Sequence, residues 1–271
     1  MEITGKVIVV TGAGSGIGRQ VALEARRRGA RVAAVDRDGA ALEETVGLAA
    51  DPGRISTHVV DITDRTAVED LPVEVEQRLA TADGLIHCAG IIQPFVRVQD
   101  LDDAAIEKVM AVNWWGTVHL VRAFLPIFLT RPQAHIVNVS SMGGFLPVPG
   151  QTIYGASKAA VKLFTEGLHA ELRDTDVRVT IVFPGAVATN ITANSGVAVP
   201  VADPEAAEQA HRTTPADEAA RIILDGMQKD AYRVLVGRDA KMMDLLYRAA
   251  PRRAAELIAK KMKDLLAPVR T

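Results

Sequence analysis

A chain of 271 residues, 48% hydrophobic and 24% charged, can bury a substantial core and has the composition of a soluble globular protein. Its net charge of -2 gives no electrostatic reason for a nucleic-acid partner, and its single cysteine, Cys88, excludes an internal disulfide and any cysteine-based metal cage, so no metal is expected. No run approaches ~18 uninterrupted apolar residues, so no transmembrane segment is expected. The first residues, "MEITGKVIVVTG", carry an acid where a signal peptide is basic, and their apolar run is short, which points to a cytoplasmic protein.

Short β-branched runs alternate with longer helical patterns along the chain. "KVIVVT" (6–11) is apolar after its first residue, as a strand buried on both faces should be. A helix over 16–28 follows, then a strand "RVAAVD" (31–36) and a helix over 40–49. The strand "STHVVDI" (56–62) leads into a helix over 66–79, and "GLIHCAG" (84–90) into a long helical stretch over 102–129. The strand "HIVNVSS" (135–141) precedes a helix over 152–173. "RVTIVFPG" (178–185), a helix over 215–229 and the strand "YRVLVG" (232–237) complete the pattern. Seven strands alternating with helices predict an α/β fold, a parallel sheet flanked by helices on both faces. No repeat and no linker divides the chain, so 1–271 reads as one domain.

Two segments break the rhythm. Residues 190–214, "NITANSGVAVPVADPEAAEQAHRTT", form a long stretch of small and polar residues, the candidate substrate lid. Residues 241–271 form a basic helical extension with eight Lys/Arg against three Asp/Glu, whose Ile258, Met262, Leu265 and Leu266 share a face. It reads as packed on the subunit or an oligomer partner, with a membrane surface or an acidic partner as the alternative.

"TGAGSGIG" (11–18) lies between the first strand and the first helix. Glycines there allow a tight turn, a close backbone approach to a pyrophosphate and close helix–strand packing, while the helix N-terminus aims free N–H groups at the phosphates. Gly12, Ser15, Gly16, Ile17 and Gly18 are therefore dinucleotide-binding candidates. Asp36, eighteen residues past Gly18, is placed to accept hydrogen bonds from a ribose. Its charge repels a 2′-phosphate and favours NAD, whereas Arg37 beside it could attract that phosphate, so NADP stays open.

Tyr154 and Lys158 are four residues apart on one helical face. An ammonium ~5 Å away at an effective dielectric of ~20 favours the phenolate by roughly 3 kcal/mol, and desolvation opposes it. Alone, the pair reads as an exposed aromatic and a cation. With its surroundings it resembles the classical short-chain dehydrogenase/reductase family. The resemblance rests on Thr-Gly-x-x-x-Gly-x-Gly at 11–18, Asp61 after the third strand, Asn113 in "VNWWG", Ser141 thirteen residues before Tyr154, the Tyr154-x-x-x-Lys158 pair, and "PGAVAT" at 184–189. It covers the chain to about Gly237.

The resemblance implies a Rossmann-type sheet in the order 3-2-1-4-5-6-7 and an NAD(P)-dependent oxidoreductase interconverting a secondary alcohol and a ketone. Tyr154 would be the acid/base, Lys158 would hold the nicotinamide ribose and lower the tyrosine pKa, and Ser141 rather than Ser140 would bind the substrate oxygen. Asn113 would bend its helix and hold a relay water. Asp61 and Ile62 would frame the adenine. Ala89 and Gly90 would let the cofactor pass, Pro184 would end the sixth strand beside it, and Val187 and Thr189 would fix its carboxamide. Family members are often tetramers, so a homo-oligomer, tetramer or dimer, paired through 102–129 and 152–173 is expected.

One element departs from the family pattern: His87-Cys88-Ala89-Gly90 stands where Asn-Asn-Ala-Gly is common. His87 reads as a packed strand histidine and Cys88 as a small buried side chain. Trp114 and Trp115 read as core or interface residues. Phe95, Phe145 and Leu146 are candidate substrate contacts that hint at an apolar or acyl-chain substrate. Two other readings are an epimerase or dehydratase relative, which also uses Tyr-x-x-x-Lys, and a catalytically silent dinucleotide sensor or scaffold.

Overall fold

The β-branched runs form seven strands: β1 (Val7–Thr11), β2 (Arg31–Asp36), β3 (Ile55–Val59), β4 (Gly84–His87), β5 (Ala134–Val139), β6 (Val177–Pro184) and β7 (Arg233–Val236). The computed structural model describes residues 1–197 and 213–262. All seven strands lie parallel in one sheet of order 3-2-1-4-5-6-7. This is the Rossmann-type arrangement expected above. Its strand order reverses between β1 and β4, and their carboxyl ends leave the crevice in which such sheets bind ligands.

The helices are α1 (Gly16–Arg27), α2 (Gly39–Gly47), α3 (Arg65–Arg78), α4 (Asp103–Met110), α5 (Gly116–Phe128), α6 (Thr152–Glu171), the short α7 (Ile191–Asn194), α8 (Ala216–Gln228), α9 (Arg238–Ala249) and α10 (Pro251–Lys261). Strand residues alternate between two cores. Val7, Val9, Leu85 and Ile136 meet Leu71, Leu120, Phe124 and Phe128 of α3 and α5. Ile8, Val10, Ile86 and Val137 meet Val21, Ala25, Ile223 and Met227 of α1 and α8. Covering both faces is why the strands read as continuous apolar runs, and each large side chain so buried contributes ~1.5–3 kcal/mol.

Several boundaries differ from the sequence expectation. β3 ends at Val59 rather than 62. The Val60 amide still reaches the Asp36 carbonyl (2.9 Å), but Asp61 then opens a side-chain turn through Thr63. β4 ends at His87 rather than 90, because beyond it the Ala89 amide finds the Thr11 hydroxyl (3.4 Å) instead of a ladder carbonyl. The stretch 102–129 is two helices joined by a π-turn, Ala111–Trp115, that contains Asn113. The C-terminal stretch begins at Arg238 and breaks at Ala250 (φ -151, ψ 73), since a residue before proline avoids the helical region. Ile258 packs inward on Leu146 and Met243. Leu265 and Leu266 lie outside the described residues, as does 198–212 of the lid stretch.

Candidate active site

At the crevice, β1 turns through the glycine loop into α1. Gly12 lies at φ +69, and a Cβ there would stand 2.9 Å from the Ala89 nitrogen on the end of β4. At Gly18 a Cβ would overlap the Gly12 carbonyl, so helix and strand touch as the motif requires. Ser15, the N-cap of α1, makes no side-chain cap bond. The first-turn N–H groups are left to face the cleft.

The loop floors a cavity of about 280 Å³. Of the residues expected at the cofactor, Gly12, Ser15, Gly16, Ile17, Gly18, Asp36, Arg37, Asp61, Ile62, Ala89, Gly90 and Thr189 line it. Asp36 accepts from Gly14 N–H (3.0 Å) and Asp38 N–H (3.1 Å), which orients its carboxylate and leaves lone pairs for a ribose. Arg19 is engaged by Glu44 through two bonds (2.9 and 2.8 Å) and by the Thr45 hydroxyl (3.1 Å). Arg37 is exposed and donates to the Asn194 carbonyl (3.4 Å).

Pro184 and Val187 do not line this cavity. Pro184 pairs with Val236 at the end of β6, and Val187 packs on the core beside Ile17 and bridges Thr214. Residues that the motifs did not mark also line the cavity, among them Val60, Val112, Ile191 and Asn194. Asn194 donates to the Ser15 hydroxyl (2.7 Å), and the Ser195 hydroxyl accepts from Ile92 N–H (3.0 Å), so α7 is tied across the mouth. A pattern signal for these was lacking, because each contact joins residues about 100 or more apart in sequence.

The second half of the site lies just past Gly90, where a Cβ would stand 3.0 Å from Lys158 Nζ and 3.2 Å from Asn113 Oδ1. Helix α6 presents Lys158 there, and one turn earlier, near its N-terminus, its Tyr154 ring stands beside Gly143. Gln93, which is buried, fixes this end: its side-chain oxygen accepts from Ile153 N–H (2.8 Å) and Tyr154 N–H (3.0 Å). Asn113 cross-braces the same unit. Its carboxamide accepts from Ile91 N–H (2.9 Å) and donates to the Ile91 carbonyl and the Ser157 hydroxyl (both 2.9 Å). That carboxamide is therefore committed to the scaffold. The main-chain carbonyl accepts from the Thr117 hydroxyl (2.7 Å).

The two serines part company. Ser140 is buried and donates to the Lys158 carbonyl (2.7 Å), pinning β5 to α6. Ser141 accepts from Gly143 N–H (3.0 Å) and hydrogen-bonds the Tyr154 hydroxyl. Lys158 is 4% exposed and donates to the Val139 carbonyl (2.9 Å). Burial lowers its pKa to about 8. The phenol of Tyr154 departs from the expectation that Lys158 lowers it. Burial raises it, and the opposing influence is the Ser141 hydrogen bond. The lysine's ammonium is turned to the Val139 carbonyl.

His87 is fully buried, bonds the Thr11 hydroxyl through Nδ1 (2.7 Å) and is held neutral, its pKa pushed down to about 3 by burial. Burial pushes the Cys88 thiol up to about 12. Neither is a base or thiolate at neutral pH. Leu146 does not face a substrate: it is fully buried against Met243 and Ala254, and Phe145 packs edge-on against Phe183 (5.4 Å). Trp114 meets Phe164 edge-on (5.6 Å), whereas Trp115 is 52% exposed. Among the described residues no cluster of His, Cys, Asp or Glu is arranged to hold a metal, and no helix is long and apolar enough to cross a membrane.

Residues 6–199 match the family model described as short chain dehydrogenase. The chain belongs to the short-chain dehydrogenase family. It is an oxidoreductase of that family, and relatives match it nearly end to end. A Mycobacterium tuberculosis protein named as an oxidoreductase, SadH, is 37% identical over 250 residues, which is 90% of each chain. A short-chain dehydrogenase/reductase from Burkholderia phymatum, solved in complex with NAD, superposes with a TM-score of 0.82 at 28% identity, covering 93% of this chain and 96% of its own. A short-chain dehydrogenase from Burkholderia cenocepacia in complex with NADP gives a TM-score of 0.77 at 30% identity, covering 99% and 100%.

Proposed function

We propose that this short-chain dehydrogenase interconverts a secondary alcohol and a ketone, with NAD preferred over NADP and Tyr154 as the acid/base. The observation that carries the reading is that Ser141 and Tyr154 meet beside Gly143, one helical turn from Lys158, whose ammonium stands against Gly90 on the wall of the glycine-loop cleft. The cradle fits a dinucleotide: Gly12, Gly14 and Gly18 have no room for a Cβ and so hold the loop tight against β4, Asp36 and its own helix, α1 has no side-chain cap, and Asp36 is oriented at the ribose end.

A bound nicotinamide supplies the hydride donor or acceptor. Ser141 holds the substrate oxygen and stabilises charge that develops there. Tyr154, kept as a phenol at neutral pH, gives its proton to that oxygen in the reduction direction. The alcohol-oxidising direction needs the phenolate, which higher pH favours and which the Lys158 ammonium favours once it leaves the Val139 carbonyl for the ribose. Asn113 braces the Tyr–Lys helix, and its carbonyl is the place for a relay water. Val187 and Thr189 orient the carboxamide.

An apolar or acyl-chain substrate is supported by half-buried Phe95 on the loop after Gly90, while Leu146 is withdrawn from that role. Residues 190–214 act as the lid of a single cytoplasmic domain, and its described residues include α7 and Ser195, tied to Ser15 and Ile92. Helices α5 and α6 are the pairing faces of a homo-oligomer, with Leu163 70% exposed and Trp115 beside them. Substituting Tyr154 by Phe tests the central assignment: NADH binding should survive and reduction of a ketone panel should not.

A further inference from the structure

The C-terminal helices touch both loops of the active centre. The first turn of α9 does so through one carboxylate. Asp239 is half-buried and accepts a hydrogen bond from Ala186 N–H at 2.7 Å. Its carboxylate fills space that two glycines leave open, because a Cβ at Gly185 or at Gly237 would overlap it. Gly237 lies at φ +96, in the left-handed region, and this turn swings the chain from β7 into α9 and aims Asp239 at the loop. On its other side the same loop is held by the returning chain: Thr214 N–H donates to the Ala186 carbonyl (2.8 Å), and Ala188 N–H to the Thr214 carbonyl (3.0 Å). Farther along α9, Met243, Leu246 and Tyr247 pack against Met142, Phe145 and Leu146, the loop that follows Ser141.

We propose that Asp239 is a positioning residue for the nicotinamide end of the cofactor. It ties Ala186 to the first turn of α9 and so places Val187 and Thr189, and α9 carries the same reference to the Ser141 loop. The inference rests on the cofactor role proposed above for Val187 and Thr189. Asp239 acts through the loop and touches no reacting atom. A carboxylate accepting an amide at a helix N-terminus is favoured by both the charge-assisted bond and the helix dipole. Without it the loop gains freedom that nicotinamide binding must remove again. The adenosine half, held by the glycine loop and Asp36, is indifferent to the change.

ADP-ribose shares that adenosine half and lacks the nicotinamide. Calorimetric titration of NADH and of ADP-ribose into wild type, Asp239→Ala and Asp239→Asn separates the two ends. Asp239→Ala should weaken NADH about tenfold, the loss of one charge-assisted bond. It should leave ADP-ribose within about twofold of wild type. Asp239→Asn, whose amide oxygen can still accept from Ala186, should recover most of the NADH affinity. Gly185→Ala should reproduce the Asp239→Ala loss alone and add nothing in the Asp239→Ala background. Equal weakening of both ligands, no recovery in Asp239→Asn, or additive losses would overturn the assignment. Amide exchange over 185–188 without any ligand separates this idea from the cofactor reading. Faster exchange in Asp239→Ala keeps the clamp even if wild type binds neither ligand, and unchanged exchange sinks the clamp whatever the titrations show.

Discussion

Cofactor choice should turn on one charge. Asp36 is fixed by the Gly14 and Asp38 amides and lines the cleft where the adenosine ribose would lie. A 2′-phosphate there would bring about -1.5 to -2 charges. At ~5 Å and an effective dielectric of ~20, each unit charge is opposed by roughly 3 kcal/mol before salt screening. Arg37 opposes that repulsion, but it is exposed, and such a contact returns about 0–1 kcal/mol. Arg19 is occupied by Glu44 and Thr45 and contributes little. After screening the net preference for NADH over NADPH should be about 2–3 kcal/mol, or roughly 30- to 150-fold. Asp36→Asn keeps the shape and removes the charge, and should bring the two dissociation constants within about threefold. Fluorescence titration with both nucleotides at low and high salt reads this directly, and the wild-type preference should shrink as salt rises. Equal or tighter binding of NADPH by wild type, or an unchanged ratio in Asp36→Asn, refutes the reasoning.

Two further outcomes follow from burial. Lys158 has its folded pKa lowered from 10.5 to about 8, so between those values the unfolded chain binds the extra proton and stability rises with pH. Below about pH 8 the buried ammonium is a standing cost, on the order of 3 kcal/mol at most. Lys158→Met should therefore be more stable than wild type at pH 7 by denaturant melts, and the gain should shrink towards pH 10; a gain independent of pH would contradict this. His87→Asn should leave the pH profile of kcat/KM unchanged between about pH 5 and 9, because His87 is neutral throughout that range. A lost limb in that profile would make His87 an acid/base after all.

The sequence revealed more of the site than the spacing of any single pair could. The glycine loop was legible because tight turns and close approach leave a fixed signature. Tyr154 and Lys158 were legible as a pair because a helix keeps residues four apart on one face, and Ser141 joined them only through the resemblance to the family. What stayed hidden was decided by contacts far apart in the chain. The end of β4 depends on Thr11, the attachment of α7 on Ser15 and Ile92, and the inward turn of Leu146 on α9 and α10. Lys158 shows the same limit. Its neighbour in sequence space was Tyr154, yet its ammonium is satisfied by the Val139 carbonyl of β5. The π-turn at Asn113 sits where three hydrogen bonds to Ile91 and Ser157 draw its side chain inward, which helical periodicity cannot anticipate.

The central claim is that Tyr154 moves the proton that accompanies hydride transfer. The most direct measurement is single-turnover oxidation of bound NADH by a responsive ketone, comparing wild type with Tyr154→Phe after NADH affinity has been measured for both. The account predicts NADH binding within about threefold and a transfer rate lower by roughly 10²–10⁴. A Tyr154→Phe enzyme that transfers hydride at the wild-type rate would contradict it.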